Sequence, residues 1–243
     1  MTPTFYLHLG PPKTATTSLQ FAFQEASLDW LKYGGVFQPR DRNGGSLAQR
    51  IYKAISREDA FEGREGKLLR TEICNCLDFA QHLFVSEEMF LVEQRHCSLR
   101  KKIKRLGALV SEVPTVVLIT LRDPIDGFPS LYQELFKGLP LSEQLSFARF
   151  CRGPRARSYD YRFVVDALRD SGLEKVKVID FGSLRSGALK LEDLFEIDSD
   201  ESMPLPIGNE NVGRKAGDKR ALDRVTLKSI GATALGRFVL DRT

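Results

Sequence analysis

The chain has 243 residues, with 42% hydrophobic and 28% charged side chains. Those proportions suit one globular domain over 1–243 with a real core and exclude disordered or collagen-like classes. The balance of 36 basic and 32 acidic residues leaves a formal charge of +4, compatible with an anionic ligand but too weak to argue for nucleic acid. No apolar run reaches the roughly 20 residues that span a bilayer. The opening MTPTFYLHLGPPK lacks the basic-then-apolar pattern of a secretory signal. Cys74 and Cys76 form a C-x-C, which is neither a zinc nor a redox spacing, and with Cys97 and Cys151 they read as free thiols in a reducing cytoplasm.

In chain order, FYLHL (5–9) reads as a buried strand ending at Gly10, and 16–26 as a helix with Leu19, Phe23 and Ala26 on one face. Residues 33–46 form an irregular excursion rich in Gly, Asn, Arg and Asp, followed by helices over 47–55 and 65–80. HLFVS (82–86) is a second strand, closed by Glu87 and Glu88. A helix is expected over 91–111. TVVLITL (115–121) is the strongest strand pattern, and Pro124 suits the first turn of a helix running to Phe136. Helices over 141–151 and 159–171, a strand at 175–181, a helix near 188–195 and a C-terminal helix from Lys219 complete the pattern. Alternating strands and helices predict an α/β fold, a mainly parallel central sheet flanked by helices, with ligands at the carboxyl ends of the strands.

The most informative segment is HLGPPKTATTSLQ, residues 8–20. A strand ends, the chain turns, and a helix starts in a run of hydroxyl residues. Amides at a helix N-terminus carry partial positive charge and make an anion site, to which Lys13 adds a full charge. Set against G-x-x-x-x-G-K-[ST] from Gly10, the second glycine position holds Ala15, the lysine position Thr16 and the last hydroxyl Thr17. The triphosphate-binding lysine is absent, which disfavours ATP hydrolysis. A plain helix start capped by Thr14 or Thr16, with Lys13 solvated, remains the bland alternative.

PKTATTSLQ resembles the 5′-phosphosulfate loop, P-K-[ST]-G-[ST]-T, of sulfotransferases that use 3′-phosphoadenosine 5′-phosphosulfate (PAPS). The resemblance implies a P-loop-like sulfotransferase fold and carries donor binding to Pro12, Lys13, Thr14, Ala15, Thr16, Thr17 and Ser18. Ala15 stands where glycine is commoner, and is expected in right-handed helical dihedrals that need no glycine. LRDPIDGFPSLYQE is similar to the family's second signature, in which an arginine ending a strand and a serine on the next helix hold the 3′-phosphate: here Arg122 and Ser130. An Arg122 ion pair with Asp123 or Asp126 is the alternative. Tyr132 matches an aromatic found after that serine, and equally suits a packed core tyrosine. The resemblance is motif-specific at 8–20 and 118–134 only.

It further implies direct in-line transfer without a metal, with Lys13 meeting charge on the bridging oxygen and adenosine 3′,5′-bisphosphate as product. Proton removal from the acceptor needs a base, and Glu87, in the place after the second strand, is the first candidate, with Glu88 the second. A raised pKa in a partly dry cleft would suit that role, whereas a carboxylate complementing a helix dipole is the structural alternative. His8, inside an apolar strand, reads as a hydrogen-bonded core histidine. Arg214-Lys215-Ala216 is similar to the family's late R-K-G loop, so Arg214 and Lys215 are further donor-binding candidates, or a solvated loop. Arg40 and Arg42 lie where family members line the acceptor pocket. The expected partner is a small-molecule or glycan acceptor hydroxyl or amine; a P-loop kinase and a non-catalytic nucleotide-binding protein are the other readings.

Overall fold

The computed structural model describes residues 2–26, 28–35, 45–78 and 82–196. The expectations placed on Arg40, Arg42, Arg214, Lys215 and the C-terminal helix lie outside the described residues.

The element order is β1 Phe5–Leu9, α1 Thr16–Glu25, β2 Leu31–Tyr33, α2 Leu47–Ser56, α3 Glu58–Glu62, α4 Arg64–Asp78, β3 His82–Ser86, α5 Leu99–Leu109, β4 Thr115–Leu121, α6 Pro124–Leu135, α7 Leu141–Gln144, α8 Phe147–Arg152, α9 Tyr161–Arg169, β5 Val176–Asp180, α10 Phe181–Ser186 and α11 Leu191–Leu194. The strands form one five-stranded sheet in the order β2-β3-β1-β4-β5. Every pairing is parallel. The protein is therefore α/β with an all-parallel central sheet flanked by helices, as the alternating pattern predicts. Among the described residues no helix is long and apolar enough to cross a membrane.

Period-2 alternation divides the core. Phe5, Leu7, Leu9, Leu83, Val85, Val117 and Ile119 face α2, α4, α5 and α9. Tyr6, Phe84, Val116, Leu118 and Ile179 face α1, α10 and α11 through Leu19, Phe23, Leu184, Leu191 and Phe195. A satellite cluster under α6 and α8 is aromatic, built on Tyr132, Phe147, Phe150 and Tyr159. β1 is buried along its whole length, as a central parallel strand covered on both faces must be.

Several boundaries differ from the sequence expectation, each for a local reason. The helix expected over 91–111 begins only at Leu99, where the Ser98 hydroxyl caps it by accepting from Lys101 N. The helix expected over 65–80 is preceded by α3, from which Gly63 separates it. The helix expected over 141–151 breaks at Ser146, which caps α8. β2 has three residues and is set by its register against β3, a tertiary constraint invisible in so short a run. Phe181 opens α10 rather than ending β5, because the Asp180 carboxylate accepts from Ser183 N as an N-cap.

The strand order decides where ligands go. β1 lies between β3 and β4, so the chain segments leaving the carboxyl ends of these strands are neighbours. They are the 10–15 loop, the Glu87–Glu88 turn and Arg122, and they lie at the end of the sheet where parallel α/β proteins bind ligands.

Candidate functional site

The 10–15 loop leaves β1 and delivers α1 without a side-chain cap. Thr14 Oγ1 donates to the Pro11 carbonyl at 2.7 Å and approaches Thr16 Oγ1 at 3.5 Å. Both threonines are buried, so their hydroxyls shape the turn from inside. Gly10 makes room for them: a Cβ there would lie 2.5 Å from Thr14 Oγ1 and 2.7 Å from Thr16 Oγ1. Lys13 has φ 72° and Ala15 φ 58°, both in the left-handed region that non-glycine residues rarely adopt. The expectation that Ala15 is right-handed helical is therefore corrected. The turn needs positive φ here, a conformation glycine adopts freely and alanine only under strain.

Ala15→Gly tests that strain. The left-handed conformation costs an alanine about 1–2 kcal/mol, and the extra freedom of glycine in the unfolded chain takes back about 0.4–1 kcal/mol. Urea unfolding should show Ala15→Gly equal to or slightly more stable than wild type. A clear loss of stability would contradict the assigned backbone.

The turn leaves a row of amides without backbone partners. Leu19 N is the first amide of α1 to reach a backbone carbonyl, that of Ala15. The amides of Thr16, Thr17 and Ser18 donate to no carbonyl or side chain among the described residues, which leaves them for an anion. Lys13, in the same turn, pairs through its Nζ at 3.5 Å with Glu134 of α6.

Arg122, at the carboxyl end of β4, closes the other side. Its Nη1 donates to the Lys13 carbonyl at 2.7 Å, and its guanidinium lies 4.7 Å from the Phe181 ring centroid. Its Nε is buried and has no partner among the described residues. The alternative of an Arg122 pair with Asp123 or Asp126 is not what forms: Asp123 caps α6 by accepting from Ile125 N. Thus two motifs separated by 109 residues meet at one end of the sheet.

Ser130 is half-buried on α6, one turn before Glu134 and on the same face, so it belongs to the helix face turned toward Lys13. No hydrogen bond joins it to Arg122 among the described residues. Tyr132 is a core residue whose hydroxyl donates to the Glu143 and Gln144 carbonyls. The packed-tyrosine alternative holds for it.

The two glutamates after β3 face different surroundings. Glu87 is completely buried rather than lining a partly dry cleft. One of its oxygens accepts from Met89 N at 2.9 Å, and its charge acts on Tyr33, Tyr52 and Lys102. Glu88 is half-buried and its charge, like that of Glu134, acts on the Tyr159 hydroxyl beside the loop. His8 is fully buried between Ser86 and Thr120, 2.7 Å from each hydroxyl. Burial lowers its pKa to about 3, so the imidazole is neutral and ties the ends of β3, β1 and β4 together.

Lys102 of α5 went unnoticed in the sequence. It is wholly buried. Its ammonium donates to the Met89 and Val92 carbonyls at 3.0 and 2.8 Å and lies 4.7 Å from the Tyr52 ring centroid. It thereby pins the turn that carries Glu87 and Glu88. Desolvation lowers its pKa from 10.5 to about 8. The unfolded chain then binds more protons than the folded one between those values, so this group makes stability rise with pH across that window. Lys102→Met should remove the component, worth on the order of 3 kcal/mol over the whole window. Denaturant unfolding of both proteins from pH 8 to 10.5 checks it: a stability difference that stays constant across the window would contradict the depressed pKa.

No protein-family model matches the chain, and no curated protein matches its sequence. Among solved structures it is similar to the sulfotransferase domain from the curacin biosynthetic pathway, with TM-score 0.37 and 11% identity over 76% of this chain and 70% of that one. A likeness that loose carries no inference about the site, which stands on its own geometry.

Proposed function

We propose that this protein moves a sulfuryl group from PAPS to an acceptor hydroxyl or amine. The observation that carries the reading is the 2.7 Å bond from Arg122 to the Lys13 carbonyl, which joins a lysine-bearing anion loop to a second phosphate-matched cation. The donor set fits a nucleotide with two separate anionic groups: open amides at Thr16–Ser18, the Lys13 ammonium, and a buried Arg122 Nε awaiting an acceptor. Thr16, at the position a triphosphate-binding lysine would take, is buried, which weighs against the kinase reading.

When bound, PAPS supplies an electrophilic sulfur and adenosine 3′,5′-bisphosphate as leaving group. The amides of Thr16, Thr17 and Ser18 hold the 5′-phosphate side, and Arg122 with Ser130 holds the 3′-phosphate. Lys13 leaves Glu134 and meets the charge that develops on the bridging oxygen as the sulfur–oxygen bond breaks. A carboxylate of the Glu87–Glu88 turn takes the acceptor proton as the new bond to sulfur forms. Glu88 is half-buried and therefore the more accessible of the two. Glu87 would need to leave Met89 N first.

Calorimetry with adenosine 3′,5′-bisphosphate, set against ATP with magnesium, tests the reading. The bisphosphate should bind and ATP should not; the reverse preference would reject it in favour of a kinase. For the base, Glu88→Gln should lower kcat about 100-fold and flatten the acidic limb of the pH–rate profile. If Glu87→Gln does so instead, the role passes to Glu87.

A further inference from the structure

Three segments of the site come from distant parts of the sequence, and one short stretch fastens them all. Residues Pro154–Tyr159 form a 3-10 turn leading into α9. The Tyr159 hydroxyl donates to the Pro12 carbonyl at 2.5 Å, inside the anion loop. Two residues on, Tyr161 brackets the backbone of Arg122. Its hydroxyl donates to the Arg122 carbonyl at 2.7 Å and accepts from Arg122 N at 3.0 Å. Arg157, between the turn and the loop after β3, pairs with Glu93 at 2.8 Å.

Both rings are buried or nearly so, and α6 is shaped to admit one of them. A Cβ on Gly127 would lie 2.3 Å from Tyr159 Cε1, so glycine is required where the helix passes the ring. Phe128 packs on the same ring at a centroid distance of 5.0 Å. A buried hydroxyl aimed at a backbone carbonyl fixes position strongly, because breaking the bond leaves both groups unsatisfied. Two such bonds from residues 159 and 161 tie the loop and Arg122 to one rigid support.

We infer that Tyr159 and Tyr161 are positioning residues that act separately on the two ends of the bound nucleotide, Tyr159 through the phosphate loop and Tyr161 through Arg122. This rests on the nucleotide reading above. The division of labour follows from geometry. Tyr159 holds the backbone that presents the open amides, which meet the 5′ side. Tyr161 holds the residue that meets the 3′ side. Preorganisation of this kind sets how much binding energy survives the ordering of the site.

The test uses the full chain with Tyr159→Phe and Tyr161→Phe, each of which removes one oxygen and keeps the ring. Two ligands are compared by calorimetry, adenosine 3′,5′-bisphosphate and adenosine 5′-monophosphate. Tyr161→Phe should weaken the bisphosphate about 10-fold and the monophosphate clearly less, since only the former presents a 3′-phosphate while Arg122 also holds the Lys13 carbonyl. Tyr159→Phe should weaken both by a similar factor. A general loosening of the fold would weaken both ligands equally in both variants, and that result, or wild-type affinities throughout, would overturn the inference. Hydrogen exchange on the ligand-free proteins provides a readout that needs no nucleotide. Tyr159→Phe should speed exchange at Leu19, whose amide donates to the Ala15 carbonyl of the loop, with α9 unchanged; unchanged protection there would overturn its bracing role. Failure of wild type to bind either nucleotide, with the loop loosened as expected in Tyr159→Phe, would reject the nucleotide reading and keep the brace.

Discussion

Replacing Lys13 with alanine should lower the rate of sulfuryl transfer at least about 100-fold while barely moving the melting temperature. Removal of one group that meets developing transition-state charge typically costs 100- to 1,000-fold in kcat. The structural cost is small. Lys13 is partly exposed, and its ion pair with Glu134 spans 3.5 Å between side chains that are 32% and 54% exposed, a geometry that contributes little to stability. The loop is held instead by Thr14, Tyr159 and Arg122 bonds that do not use the lysine side chain. Turnover and thermal unfolding measured on the same preparation separate the two effects. Near-normal turnover would remove Lys13 from the chemistry, and a collapsed melting temperature would show that it holds the fold.

The second large effect is expected at Arg122. Arg122→Ala removes the fork that donates to the Lys13 carbonyl and stacks on Phe181, along with the buried Nε that has no partner among the described residues. Hydrogen bonds to charged groups contribute about 1.5–3 kcal/mol each, so the bisphosphate dissociation constant should rise about 100-fold. Arg122→Lys should recover only a small part, because an ammonium cannot offer two parallel donors and does not stack in the same way. The affinity for the bisphosphate at two salt concentrations reads the loss. Wild-type affinity in Arg122→Ala would show that the 3′-phosphate, if it binds, is held elsewhere.

Local chemistry made the turn after β1 legible: a strand run ending at Gly10, then Lys13 and a series of hydroxyls, marks a strand-to-helix turn, and the segment folds into one whose Thr16–Ser18 amides meet no carbonyl among the described residues. TVVLITL was legible because a run that apolar and β-branched has to be a central strand. The positive φ of Ala15 was not, since alanine carries no mark of the conformation that neighbouring contacts impose on it. The inward turn of Lys102 was not legible either: it comes from the packing of α5 against the Met89–Val92 turn.

By itself, then, the sequence determined the parallel α/β architecture, which depends on periodicity, and set out a turn after β1 with donors close together in the chain; Arg122 was a candidate only through the family resemblance. The strand order, which sets β1 between β3 and β4, was decided by tertiary packing. So were the pinning of Arg122 to the loop, the burial of Glu87 and the hold of Tyr159 and Tyr161. The reason is physical: each of the three bracing bonds from these arginine and tyrosine side chains joins residues 39 to 147 positions apart. No local preference can specify such a contact, and it forms only when the sheet has already brought the strand ends together.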